Sequence, residues 1–326
     1  MLWRPTGDGE PAGGRSGPAV PARTLAAVDH RPIGMFDSGF GGLTVARAVI
    51  DLLPAERLVY VGDTGRYPYG PRSQDEVRGF ALEIARHLVD DHDVKLLVVA
   101  CNTAAAAALD DLAAAFPDVP VVGVIEPGAR ALLSATHTGR VGVIGTVGTI
   151  SSGAYQRVVV GLRPDVELTC AACPGFVEFV EKGEIAGDQV RVLAERLLAP
   201  VCEAKVDALL LGCTHYPFLA RTISDVVGRD VVLVSSADET AFEVRARLEA
   251  EQMMAAPPGG PPPWGWTEAV GDAALLPPPG PAGSERRSTG APRHRWLSSG
   301  DVDAFRELGR RLLGPELDHA EPVPWA

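Results

Sequence analysis

Short apolar runs, each closed by glycine, hydroxyl or amide residues, recur along this chain. The two sharpest are Leu96-Leu97-Val98-Val99-Ala100, which stops at Cys101-Asn102-Thr103, and Leu209-Leu210-Leu211-Gly212, which stops at Cys213-Thr214-His215. Four or five aliphatic residues bounded by breakers read as a strand buried on both faces, the pattern of a parallel sheet covered by helices. In open α/β sheets ligands sit beyond the carboxyl ends of such strands. Both cysteines are therefore expected at the edge where chemistry is done.

The remaining pattern alternates strand and helix. Strands are predicted at 33–36, 58–61, 121–125, 141–144 and 231–234, and helices over about 43–53, 76–90, 104–115, 218–227, 237–252 and 303–313. Ser73 with Glu76 three residues on reads as a capping box, and Ser236-Ala237 as a second helix start. The first strand breaks into Asp37-Ser38-Gly39-Phe40-Gly41-Gly42, a glycine-rich turn that presents backbone N–H groups and a positive helix end to an anion. Its spacing is not that of a dinucleotide fingerprint, so a small carboxylate is the better ligand. Val141-Gly142-Val143-Ile144 and the polar Gly145–Thr149 loop repeat this opening about 110 residues later, and Cys213 follows Cys101 by about as much, which suggests an internal duplication.

Two stretches fall outside this pattern. Residues 1–30 are rich in Gly, Pro and Ala, and residues 255–291 carry runs of Pro and Gly, so neither is expected to form a packed core. Over the whole chain, a composition of 46% hydrophobic and 22% charged residues is that of an ordinary globular protein. With 30 basic against 42 acidic residues the net charge is −12, which argues against nucleic acid or an anionic membrane as partner. The N-terminal residues lack the apolar segment of a signal peptide and no stretch of about 18 apolar residues occurs, so a cytoplasmic protein is expected.

Five cysteines, an odd number in such a chain, read as thiols rather than a disulfide framework. Metal-ligand spacing is absent at both strand ends. Cys170 and Cys173 have CxxC spacing without a second ligand pair, and Cys202, inside an apparent helix, reads as core. Lysine occurs only at 95, 182 and 205, and Lys95 and Lys205 precede apolar strands, at the sheet ends away from the active edge. No lysine is thus well placed for a pyridoxal phosphate Schiff base. The helix starts behind Cys101 and Cys213 should lower the thiol pKa from about 8.5 toward neutrality. Two thiols facing each other across duplicated halves suit a reaction in which a proton leaves one face of a tetrahedral carbon and another arrives at the opposite face.

The motifs FDSGFGGLTV (36–45), PYG (68–70), VACNTA (99–104), VIGTVGTI (143–150), FVEKG (179–183), GCTHYPFL (212–219) and SSGDVDAF (298–305) together resemble glutamate racemase, a cofactor-independent amino-acid racemase that supplies D-glutamate for peptidoglycan. The resemblance implies two pseudo-symmetric α/β domains, each a mostly parallel sheet flanked by helices, with the active site at their interface. The first would comprise 31–126 with 236–314, the second 127–235, and 315–326 would be a C-terminal tail. It further implies that Cys101 removes the α-proton of D-glutamate and Cys213 that of L-glutamate. Asp37 would assist Cys101, His215 would assist Cys213, and Glu181 is a further acidic candidate. Ser38, Tyr69, Gly70, Asn102, Thr103, Thr146, Thr149 and Thr214, with Asp37 and His215, would hold the substrate's carboxylates and ammonium. No cofactor or metal is implied, and assembly as a homodimer stays open. A racemase or decarboxylase for aspartate or another acidic amino acid, and a non-catalytic acidic amino-acid sensor, are the competing readings.

Overall fold

A computed structural model describes residues 28–255 and 293–325. The readings made for 1–27 and for most of the Pro/Gly-rich 255–291 stretch lie outside the described residues. The chain forms two parallel sheets. The first contains β1 (Ile33–Asp37), β2 (Leu58–Gly62), β3 (Leu96–Val99) and β4 (Val121–Gly123). The second contains β5 (Arg140–Gly145), β6 (Glu167–Ala172), β7 (Ala208–Gly212) and β8 (Val232–Val234). The chain then returns to the first sheet with β9 (Arg295–Ser298) and β10 (Glu321–Pro322).

The strand orders are β10-β9-β2-β1-β3-β4 and β6-β5-β7-β8, all parallel. The core of the first sheet and the whole of the second thus share one topology. In each, the opening strand lies inside, the second flanks it on one side, and the third, which ends in cysteine, flanks it on the other. This is the doubly wound order in which ligands collect past the carboxyl ends of the inner strands. Strands β1, β2, β3 and β7 are buried throughout, which is why they read as unbroken apolar runs.

Helices cover the sheets much as their sequence signals specify. Ser73 accepts from the Glu76 amide and Glu76 accepts from the Ser73 amide, the capping box at the head of Gln74–His92. The alanine-rich helix starts earlier than predicted, at Asn102, so Cys101 is its N-cap residue. Asp301 caps Val302–Leu313 by accepting from the amides of Asp303 and Ala304 at 2.9 and 3.0 Å. The helix Ala237–Ala250 packs on both Leu43–Leu52 and Ile125–Ala135, joining the two halves behind the active edge.

Four expectations need correction. β4 ends at Gly123 and residue 125 opens a helix, because Pro127 falls within the first turn, where its missing N–H costs nothing. Ser236 makes no side-chain cap; its carbonyl instead accepts the Thr240 hydroxyl at 2.7 Å. Cys202 is exposed, because Asp188–Glu203 buries the stripe Val190, Ala194, Leu198 and Val201, one position off. Residues 315–323 do not hang free: β10 pairs with β9, Leu317 and Val323 are buried, and Trp296 Nε1 donates to the Glu316 carbonyl at 2.8 Å.

At the end of the first sheet away from the cysteines, Lys95 and Glu56 form an ion pair of 2.7 Å with side chains essentially out of water. Lys95 Nζ also donates to the carbonyls of Asp29 and Met253, and Glu56 accepts from the Ala255 amide. Lys95→Met should therefore strand the Glu56 carboxylate in the core. A loss of about 3–5 kcal/mol in unfolding free energy is expected from denaturant titration; a loss under about 1 kcal/mol would show that the pair contributes little.

Candidate active site

The carboxyl ends of β1, β3, β5 and β7 converge where the two sheets meet. The turn after β1 delivers Asp37 and Ser38, that after β3 delivers Cys101, Asn102 and Thr103, that after β5 Thr146, and that after β7 Cys213, Thr214 and His215. Together with Tyr69 and Gly70, these residues other than Asp37 line a cavity of about 80 Å³, room for several waters or one small solute. Both thiols face this one cavity. Asp37, Glu181 and Thr149 stand just behind its wall.

Asp37 has no exposure to water. One of its oxygens accepts the Gly39 amide at 2.8 Å and the other accepts the Thr214 hydroxyl of the opposite sheet at 3.1 Å. Burial raises its pKa, against the pull of His215, the Gly39 amide and Thr214. The chain can approach this closely only because residues 41 and 42 are glycine. A Cβ on Gly42 would fall 2.6 Å from Asp37 Cβ, and one on Gly41 the same distance from His215 Nδ1.

His215 is buried, with Nε2 2.9 Å from Glu181 Oε1 and the Phe40 ring edge-on at 4.9 Å. Burial alone would disfavour its charge, but hydrogen bonds with Cys213 and Glu181 and the Asp37 carboxylate override it and raise the imidazole to about 10. Cys101 moves the opposite way from the sequence expectation. Burial, with the neighbouring Asp37 charge, pushes its thiol up to about 12, and the amide at the helix start and Ser38 recover only part of this. A helix end cannot offset the loss of water around a thiolate.

Three hydroxyls close one side of the cavity. Thr103 Oγ1 lies 2.9 Å from Thr146 Oγ1 and 3.2 Å from Thr149 Oγ1, and those two lie 3.0 Å apart, with Thr146 capping its own helix through the Thr149 amide. The Gly148 amide donates to the Gly70 carbonyl at 2.9 Å beside them. Tyr69 spends its hydroxyl on the buried Asp63, so it offers the cavity only its ring and backbone. Asn102 gives its amide N–H to Tyr155 at 2.7 Å, while its Oδ1 is buried with no partner among the described residues.

The sequence reading passed over several wall residues. Tyr67, Cys173, Val177 and Glu178 also line the cavity, and Tyr155 stands behind Asn102. Cys173 had its CxxC spacing as a signal, but it is a buried free thiol at the β6 end, and burial raises it to about 12. Tyr67 lay in the turn-rich Arg66–Pro71 stretch, where nothing distinguishes a wall residue from a turn residue.

The family model described as Asp/Glu/Hydantoin racemase matches residues 41–243, which span both sheets. The chain belongs to the Asp/Glu/hydantoin racemase family. Among relatives in that family, it is 48% identical to the glutamate racemase of Acidothermus cellulolyticus over 88% of this chain and 97% of that one. The structure of a glutamate racemase isoform from Bacillus anthracis superposes with a TM-score of 0.75 at 37% identity, covering 90% of this chain and 97% of that chain. That of the Francisella tularensis glutamate racemase, solved with D-glutamate, gives 0.74 at 31% identity over 91% and 98%. Like these racemases the chain is an α/β protein of parallel sheets flanked by helices. Among the described residues no helix is long and apolar enough to cross a membrane.

The raised imidazole of His215 makes a signed prediction. Below its ordinary value of 6.5 both folded and unfolded chains hold the proton, so the stabilisation from its partners is fully present. As pH rises toward about 10 only the folded chain keeps the proton, and the stabilisation shrinks until it is gone. Urea midpoints measured from pH 6 to 10 should fall more steeply for the wild-type chain than for His215→Asn. Parallel profiles would show that the imidazole is not held charged.

Proposed function

We propose that this chain interconverts L- and D-glutamate without a cofactor, by passing one proton to and another from the α-carbon, and supplies D-glutamate for peptidoglycan. The observation that carries this reading is the placement of Cys101 and Cys213 at equivalent strand ends of two sheets with one topology, both on one small cavity. Such an arrangement sets one sulfur on each face of a bound planar intermediate. A single thiol confined to one face could remove a proton but would return it to that face.

In this scheme Cys101 takes the proton from D-glutamate and Cys213 that from L-glutamate. The C–H electron pair stays on the substrate as an enolate-like carbanion and collapses onto the proton delivered by the other sulfur, so nothing is oxidised or reduced. A sulfur that holds its proton tightly is the stronger base once it is ionised but is seldom ionised, so Cys101 depends on a neighbouring group to take its proton first. Asp37 beside Cys101 and the His215–Glu181 pair beside Cys213 exchange protons with the sulfurs between turnovers. The hydroxyls of Ser38 and Thr103 meet the developing negative charge, and Thr214, whose proton goes to Asp37, accepts from the substrate ammonium. Asn102 Oδ1, buried without a partner among the described residues, accepts from the substrate ammonium.

Two domains follow from this reading, 31–126 with the C-terminal segment and 127–235, their cleft holding the substrate. A cytoplasmic location, where glutamate is available, goes with this reading.

Cys101→Ser and Cys213→Ser should each lower racemisation by at least about a thousandfold while leaving the circular dichroism spectrum and melting temperature near wild type, since each substitution removes one of two reacting groups. Polarimetry from either enantiomer measures this. Wild-type turnover in either variant would contradict the two-thiol assignment.

A further inference from the structure

Tyr67 is a lining residue of the cavity whose hydroxyl the scheme above leaves unused. The Tyr67 ring is held from two sides. A Cβ on Gly39 would come within 3.5 Å of its Cδ2, and its plane lies over the His215 imidazole with centroids 6.0 Å apart and 30° between planes. Its oxygen is cut off from bulk solvent and has no hydrogen-bond partner among the described residues. A buried hydroxyl without a partner lowers stability, and a hydroxyl the fold does not use is free to meet a ligand.

Its chemistry is one-sided. Burial, and then the carboxylates of Glu181 and Glu178, push the phenol well above its ordinary value of 10, so it keeps its proton throughout the working range. A neutral phenol with a proton to give is a donor. On another lining residue, the Asn102 Oδ1, also without a partner among the described residues, is an acceptor. One donor beside His215 and Cys213 and one acceptor beside Cys101 match the two ends of an amino acid: a carboxylate and an ammonium.

We propose that Tyr67 is a substrate-contacting residue whose Oη donates a hydrogen bond to a carboxylate of the bound amino acid on the Cys213 side of the cavity. This rests on the racemase reading for the identity of the ligand, and not for the contact itself. The Glu178 and Glu181 carboxylates near the same wall would repel an anion, and the phenol supplies a local donor that offsets them.

Tyr67→Phe deletes one oxygen and keeps the stacked ring. The Kd for D-glutamate, measured by calorimetry, and KM for both enantiomers should rise about tenfold or more, the loss of a hydrogen bond to a charged group. The melting temperature should stay unchanged or rise, because the variant removes an unpaired buried hydroxyl. That combination separates a ligand contact from a structural role. Unchanged Kd and KM would overturn the proposal, and so would a lowered melting temperature, which would mean that the hydroxyl has a partner in the fold. If the wild-type chain binds glutamate without racemising it, the racemase reading fails while the Kd comparison still decides the role of Tyr67.

Discussion

Asp37 lies where the two sheets meet, wholly removed from water, and its carboxylate is satisfied by the Gly39 amide from its own sheet and by Thr214 from the other. A buried carboxylate that loses a partner is costly, so the halves must stay in register to within a hydrogen bond's tolerance. Much of the site follows from that. Gly41 and Gly42 let the backbone come close enough, His215 lies against the Gly41 backbone, and the Thr103, Thr146 and Thr149 hydroxyls join the halves on the other side of the cavity. Between these two sets of cross-sheet contacts sits the cavity that carries both thiols.

Closing the site this way has an electrostatic consequence. Removing water raises Cys101 to about 12 with Asp37 beside it, while the same burial around His215 is overcome by Cys213, Glu181 and Asp37, which hold its imidazole charged to about 10. The two halves are alike in topology and unlike in proton economy. One presents a thiol beside a carboxylate, the other a thiol beside an imidazolium. A reaction that runs in both directions needs one sulfur ionised to take a proton and the other protonated to give one, and unequal surroundings provide that difference without a metal or an organic cofactor in the scheme.

The buried strands were legible because parallel sheets covered on both faces write themselves as apolar runs: Leu96–Val99 and Ala208–Gly212 could hardly be read otherwise. The turns that follow them were legible for the same reason, since the run stops where the polar residues of the site begin. β6 was not, because Glu167–Ala172 is an edge strand of mixed polarity and partial exposure. The helix start at residue 125 was hidden by a β-branched run that leads into it. What no local pattern could reveal was the contact between halves. Tyr67 and Tyr155 become site residues only when the sheets close on each other, and the help that Cys101 has from its helix start is outweighed by burial and by Asp37 beside it.

The central claim is that two different sulfurs act on opposite faces of one carbon. Proton magnetic resonance of the wild-type chain turning over a single enantiomer in D₂O tests it most directly. If separate groups remove and deliver the proton, the first product formed carries solvent deuterium at the α-carbon while the remaining substrate keeps its hydrogen. If one group did both, the hydrogen would pass into the product, or deuterium would enter substrate and product together, and the two-sulfur account would be contradicted.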